Sequence, residues 1–160
     1  MVHRLTPAQR KAASQLIRAR LVDAYRHLRT TPTVWGGDPR IFGTGPVAPA
    51  LPEGLRCDQL GEALSWSPRY ILPLIERGKR PGATKAEREA GYQAEAARKA
   101  LMLWAKSQAG MTGSVHSILR ELHVSPTTFK RRMAHAVRLI KQGLVDDGLI
   151  VVPPIFCMAA

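Results

Sequence analysis

The residues of this 160-residue chain best suited to chemistry are hydroxyl and basic side chains between positions 125 and 141. They follow a Ser125-Pro126 pair, in which serine is a preferred helix cap and proline fits the first helical position. Hydroxyl, lysine and arginine groups at a helix start can donate to phosphate oxygens and to the edges of bases. Such residue types favour binding to a nucleic acid over bond-making chemistry. The set comprises Ser125, Thr127, Thr128, Lys130, Arg131, His135 and Arg138.

Residues that usually carry catalysis or hold metals are scattered along the chain. The five histidines show neither HExxH nor HxH spacing, and Cys57 and Cys157 form no CxxC motif. Asp58 and Glu62 share a helix face, but no third acid or lysine lies nearby to complete a nuclease site. We therefore expect no enzymatic activity, no metal site and no cofactor.

The charge balance points to a polyanionic partner. The chain has 24 Lys+Arg against 12 Asp+Glu, which gives a net charge of +12. Such a charge favours nucleic acid first and an anionic membrane surface second. An arginine-rich composition without asparagine is also typical of a GC-rich genome, which accounts for part of the bias. An apolar content of 45% is enough for a hydrophobic core.

The sequence predicts a soluble, cytoplasmic protein with no membrane partner. The first sixteen residues contain no apolar stretch typical of a secretory signal. No apolar run approaches the roughly 20 residues that a membrane-spanning helix needs. The two distant cysteines suggest no disulfide framework, so a reducing compartment is expected.

Residues 1–30 are predicted to form a basic helix, capped by Thr6 and entered through Pro7. Seven basic residues and one acid lie within residues 1–31. The basic face could contact phosphates, or it could simply be the solvated side of a core helix. The predicted apolar face consists of Ala13, Ile17, Leu21, Ala24 and Leu28.

Two segments are predicted to lack regular structure. Residues 31–54 contain five prolines and five glycines, which break both helical and strand periodicity. The GTGP motif in this loop lacks the Gly-Lys-Ser/Thr of a phosphate-binding loop, and Trp35, Ile41 and Phe42 are expected to anchor it to a core or a partner. The apolar tail at 149–160 either packs on the core or serves a partner or self-association.

Residues 55–148 are predicted to form a helical domain. A short amphipathic helix ends near Trp66, and Ser67-Pro68 starts another that Pro73 should kink or interrupt. Thr84 and Glu87 have capping-box spacing and open a long helix that Gly110 stops. Its predicted buried stripe consists of Ala90, Ala94, Ala97, Leu101, Trp104 and Ala105.

The end of this domain has the pattern of a helix-turn-helix at 114–145. Ser114 can cap a short helix, His123 and Val124 make the turn, and Ser125 caps a longer basic helix. We therefore predict a mainly α fold: a helical bundle with a C-terminal helix-turn-helix and a long Pro/Gly-rich loop. The longer helix has a predicted buried face of Phe129, Met133, Ala136, Val137, Ile140 and Leu144.

The segment ILRELHVSPTTFKRRMAHAVRLIKQGL, residues 118–144, resembles the second half of sigma-factor region four, which binds an upstream promoter element. Similar segments occur in small phage-type transcription regulators, including Q-type antiterminators. The resemblance extends over residues 98–144 at most. His123 stands where the family pattern usually has a turn glycine, and Leu119 stands where a small residue is usual. Nothing upstream resembles the polymerase-binding part of a sigma factor, so a complete sigma factor is not expected.

The resemblance implies a sequence-specific regulator of transcription that binds double-stranded DNA. It assigns base contacts to Thr127, Lys130 and Arg131, and phosphate contacts to Ser125 and Thr128. A bundle whose last helix is basic only for solubility is the plainer alternative. Two other functions stay open: an antitermination or co-activator protein that docks on RNA polymerase and touches DNA secondarily, and a phage packaging subunit resembling a small terminase. The sequence predicts no oligomeric state.

Overall fold

The described part of the chain, residues 6–30 and 57–148 of a computed structural model, is mainly helical and contains no strand. The mainly α fold class is therefore confirmed. The predicted loop at 31–54 and the apolar tail at 149–160 lie outside the described residues. The elements are α1 (Pro7–Thr30), α2 (Cys57–Trp66), a π-helical turn (Ser67–Ile71), α3 (Leu72–Lys79), α4 (Lys85–Gln108), α5 (Val115–Glu121) and α6 (Pro126–Asp146).

Local sequence signals set the ends of these helices as predicted. At the start of α4, the Glu87 N–H donates to Thr84 Oγ1 at 3.2 Å, and the Thr84 N–H donates to Glu87 Oε2 at 2.8 Å. Thr6 and Gln9 exchange the same two hydrogen bonds at the start of α1. Gly110, with φ of 73°, follows the end of α4. Each cap satisfies N–H or carbonyl groups that a helix end leaves free.

The segment around Pro68 and Pro73 differs from the prediction. Ser67 does not cap a new helix, because the preceding residue, Trp66, is itself helical, with φ of −62° and ψ of −40°. Pro73 lies in the first turn of α3, so the interruption predicted at Pro73 falls just before it, at the π-helical turn. In this turn the Leu72 N–H donates to Ser67 O, five residues back. A wider turn accommodates two residues that lack an N–H and crowd the preceding carbonyls.

A single hydrophobic cluster joins α1, α2, α3, α4 and α6. From α1 it contains Ile17, Leu21, Val22, Ala24 and Tyr25, so α1 is part of the bundle core and not a separate arm. The prediction was wrong for Leu28, which is 44% exposed near the end of α1. The predicted buried stripe of α4 was wrong at Ala90. This residue is exposed, because its neighbour Gly91 is the one that faces α3.

Contacts at the helix ends define how α1, α4 and α6 run. Arg29, near the end of α1, donates from Nη1 to Ala109 O beyond the end of α4, at 3.3 Å. Lys141, near the end of α6, approaches Ser14 near the start of α1, with Nζ 3.5 Å from Oγ. These contacts place the end of α1 beside the end of α4, and the last third of α6 beside the first half of α1.

Two contacts require glycine. A Cβ at Gly91 would lie 3.1 Å from Gly78 Cα and 3.1 Å from Leu74 O, so α3 and α4 cross at a distance that larger residues would increase. A Cβ at Gly143 on α6 would overlap the ring of Tyr70. The contact between Gly143 and Tyr70 helps to fix the position of α6, whose outer face carries the predicted site.

Candidate nucleic-acid interface

The turn between α5 and α6 has a specific backbone geometry. The His123 N–H donates to Arg120 O at 3.3 Å, and the Val124 N–H donates to Leu119 O at 3.2 Å. This pair of bonds is the Schellman arrangement, which needs a left-handed residue at its centre. His123 occupies that position with φ of 50°, where the predicted pattern has a glycine. The turn therefore directs the chain sharply from α5 into α6.

The start of α6 is capped as predicted. Ser125 Oγ accepts the Thr128 N–H at 3.2 Å and donates to Thr128 Oγ1 at 2.9 Å. Pro126 occupies the first helical position. These bonds orient both hydroxyl groups at the helix end, where the remaining free N–H groups and the positive end of the helix dipole favour an anion.

A second, smaller hydrophobic cluster holds α5 against the rest of the molecule. Its buried residues are Ala100 of α4, Ile118 of α5 and Phe129 of α6. Leu119 and Val124, on either side of the turn, pack against it. The large Leu119 therefore lies in an interface made by three helices. The predicted buried face of α6 is fully confirmed, since all six of its residues are buried.

The predicted site residues occupy the outer side of α6. Thr127, Lys130, Arg131 and Arg138 are exposed, whereas Thr128 and His135 are partly buried. The side chains of Thr127, Arg131 and Arg138 follow each other at intervals of four and seven residues and so share one face. Lys130 lies toward one flank of that face. The set is therefore not a single cluster: four members surround the first turn of α6, and the other three follow from Arg131 in its second turn to Arg138.

A surface groove of about 830 Å³ lies between three helices. Three of the predicted site residues line it: Arg131, His135 and Arg138. From α6 the groove is also lined by Arg132, Ala134, Val137 and Lys141. Ser14 and Arg18 come from α1, and Glu89, Tyr92, Gln93 and Ala96 come from α4. Ser125, Thr127, Thr128 and Lys130 do not line it.

Sequence reasoning missed Arg18, Arg132 and Lys141 as site residues. The spacing of Arg131, Arg138 and Lys141 along α6 was a usable signal, because residues seven and ten apart fall near one side of a helix. No such signal existed for Arg18. Its relation to α6 depends on which side of α1 packs against α6, which only the tertiary structure decides.

Electrostatics in this groove disfavour additional positive charge. Burial, with a smaller contribution from Arg138, lowers the pKa of His135. Burial also lowers the pKa of Lys141, helped by the nearby cations Arg10 and Arg138. Arg138 Nη2 lies 2.6 Å from His135 Nδ1. Because arginine can only donate, Nδ1 is the acceptor and the imidazole is neutral in this arrangement.

Within residues 6–30 and 57–148, no group of three or more His, Cys, Asp or Glu side chains could hold a metal ion. No helix in these ranges is long and apolar enough to span a bilayer. The groove, lined by basic, hydroxyl and amide side chains, is a polar concavity that could receive a ligand.

Comparison with known proteins gives no family assignment: no protein-family model, no curated protein and no solved structure matches this chain significantly. The resemblance of residues 118–144 to sigma-factor region four therefore stays a prediction, and function must be argued from the site itself.

Proposed function

We propose that the protein binds double-stranded DNA through α5, the turn and α6, and that it regulates transcription from a preferred DNA sequence. One observation carries the proposal: the capped start of α6 presents Thr127, Lys130 and Arg131 to solvent from a buttressed helix. An α-helix fits the major groove of duplex DNA, where base edges show a sequence-dependent pattern of donors and acceptors. The α5–turn–α6 arrangement is typical of proteins that insert a helix there.

The residues at the start of α6 divide into two roles. Arg131 and Lys130 are long enough to reach base edges, and arginine donates two parallel hydrogen bonds to guanine. Ser125 and Thr128, together with the free N–H groups of the first turn, favour a phosphate oxygen. The phosphate contacts would set the register of α6 on the duplex, and the base contacts would select the sequence.

The packing of α6 against α5 supports the proposal. The Schellman turn at His123 and the cluster around Ile118 and Phe129 hold α5 against α6. Sequence discrimination needs such support, because base contacts lose their value when the recognition element can rotate away.

The test is selection of preferred duplexes from a random pool, followed by fluorescence-anisotropy titration of Arg131→Ala. We expect this change to weaken binding to the selected duplex by about 1–3 kcal/mol and to relax the preference at one or two base positions. Lys85→Ala, which removes one exposed charge at the start of α4, is the control and should keep the preference. Equal losses for Arg131→Ala on selected and scrambled duplexes would exclude base contact by Arg131.

A further inference from the structure

The groove beside α6 is continuous with the proposed DNA-binding face. Arg131 and Arg138 belong to both, since they are exposed on α6 and also line the groove. A duplex that receives the start of α6 in its major groove has its sugar–phosphate backbones on either side of that helix. A concave surface next to α6 is therefore where a backbone would pass.

The positive charges that line the groove outnumber the acids that could neutralise them. Its lining contains the five cations Arg18, Arg131, Arg132, Arg138 and Lys141 against the single acid Glu89. None of the five forms an ion pair with an acid in the described residues. Like charges held together without counter-charges repel one another, and a polyanion would relieve that repulsion.

Arg18 is the basic residue of α1 that lines this groove. It is partly buried beside α6, and its Nε is inaccessible without a hydrogen-bond partner among the described residues. Holding a partly buried guanidinium beside other cations is unfavourable in the free protein. An anion in the groove would offset that cost. Other basic residues of α1 do not line the groove, although they contribute equally to the net charge.

We propose that the groove between α1, α4 and α6 holds the sugar–phosphate backbone of the bound duplex, which makes α1 a second DNA-contacting element with Arg18 as its phosphate ligand. This inference rests on the proposed function, because it needs a duplex at α6. Glu89, on the opposite wall, opposes binding. The contact adds affinity on every sequence and no sequence preference, since phosphates are the same at every base pair.

Arg20 provides a matched control for Arg18. It is also an arginine of α1, but it lies two residues further along the helix, so its side chain points to the opposite side. Both changes to alanine remove one positive charge from the same helix. Any difference between them therefore reports on position in the groove and not on net charge.

The experiment measures anisotropy of selected and scrambled duplexes at several salt concentrations with the full chain. Arg18→Ala should weaken binding to both duplexes by the same factor, roughly three- to tenfold, and should reduce the slope of log K against log salt by about one. Arg20→Ala should change neither quantity. Circular dichroism checks folding, and Arg18→Lys, which keeps the charge, should recover most of the salt slope.

Glu89→Gln provides a test in the opposite direction. Removing the one acid of the groove should strengthen binding to both duplexes, by roughly two- to threefold, because a carboxylate no longer repels the phosphates. Glu76→Gln, an exposed acid on α3, is the control with the same change in net charge. A gain in affinity cannot result from misfolding.

The outcomes separate the two proposals. If the wild type binds a selected duplex but Arg18→Ala behaves like Arg20→Ala, the groove proposal is wrong and the α6 proposal stands. If Arg18→Ala and Glu89→Gln change binding as expected while Arg131→Ala keeps the sequence preference, the groove proposal is supported and base contact by Arg131 is excluded. If the wild type binds no duplex, both are wrong.

Discussion

At the scale of single residues, the candidate interface combines two kinds of basic side chain. Lys130 and Arg131 extend into solvent near the start of α6, where they are free to adapt to a base edge. Arg18, Lys141 and His135 are partly buried in the groove, where their positions are largely fixed by packing. The first group suits selection between sequences, and the second suits a backbone whose geometry hardly varies with sequence.

We expect His135 to make the proposed DNA binding dependent on pH. Burial and Arg138 lower its pKa in the free protein, so the imidazole is neutral where an ordinary histidine would be charged. It shares the groove with five cations, four of them on α6 (Arg131, Arg132, Arg138 and Lys141) and one on α1 (Arg18), and with one acid, Glu89 of α4. A phosphate in this groove would favour the imidazolium and raise the pKa again.

The direction of this pH dependence follows from the difference between the pKa of His135 in the free protein and its pKa in the complex. Because the bound protein would have the higher pKa, binding takes up a proton between the free and bound pKa values. Affinity should therefore rise as pH falls through that interval and level off below the free-state pKa. Anisotropy titrations of the duplex between pH 8 and pH 5, at fixed salt, measure this rise in affinity. His135→Gln should abolish the rise that is due to His135, whereas His116→Gln on α5 should retain it. A profile unchanged by His135→Gln would show that no phosphate approaches this side chain.

At the scale of secondary-structure elements, the turn between α5 and α6 contains the least favourable backbone position of the site. His123 has φ of 50°, a conformation that costs an ordinary L residue about 1–2 kcal/mol and costs glycine almost nothing. The position is nevertheless required, because it completes the Schellman turn that directs the chain into α6.

Changing His123 should therefore alter stability without altering the interface. We expect His123→Gly to raise the free energy of unfolding by about 0.5–1 kcal/mol, after allowing for the greater entropy of glycine in the unfolded chain. His123→Val should lower it by about 1–2 kcal/mol, since a β-branched residue tolerates positive φ least. Urea unfolding at pH 7 measures both. A similar stability for the two variants would mean that the turn relaxes to another conformation.

Much of this element-scale structure could be predicted from the sequence, because the signals are local. The caps at Thr84, Ser114 and Ser125 depend on residues three positions apart, and the buried face of α6 depends on a regular apolar repeat. The π-helical turn was not predictable in the same way. Two prolines indicate strain, but whether a helix breaks or widens depends on the packing of the residues between them. The groove was not predicted for a related reason: Arg18 and Arg131 line the same surface only because α1 packs against α6.

At the scale of the whole molecule, the described helices form one large and one small hydrophobic cluster. The large cluster joins α1, α2, α3, α4 and α6, whereas the small one contains only Ala100, Ile118 and Phe129 as fully buried members. α5 is seven residues long and buries one of them, Ile118. The buttress of the proposed recognition helix is therefore the part of the bundle with the least buried apolar surface.

This distribution predicts unequal local stability. Amides of α5 should exchange with solvent through local opening, at lower free energy than the central amides of α4 and α6, which require global unfolding. Native-state hydrogen exchange followed by mass spectrometry measures the difference. Binding of a selected duplex should slow exchange in α5 and the start of α6. Equal protection of α5 and α4 in the free protein would show instead that the two clusters open as one unit.

The π-helical turn at Ser67–Ile71 also constrains how this chain can change in length. A π-helical turn holds about one residue more than an α-helical turn, so loss of one residue there would restore a regular helix. Because the extra residue is already held within the wide turn, its loss would leave α2 and α3 with almost the same rotation about the helix axis. Ala63 and Trp66 of α2, both buried, would therefore keep facing the core. The same deletion inside α2 has no wide turn to absorb it, so it would rotate the residues before it by about 100° and turn them away from the core.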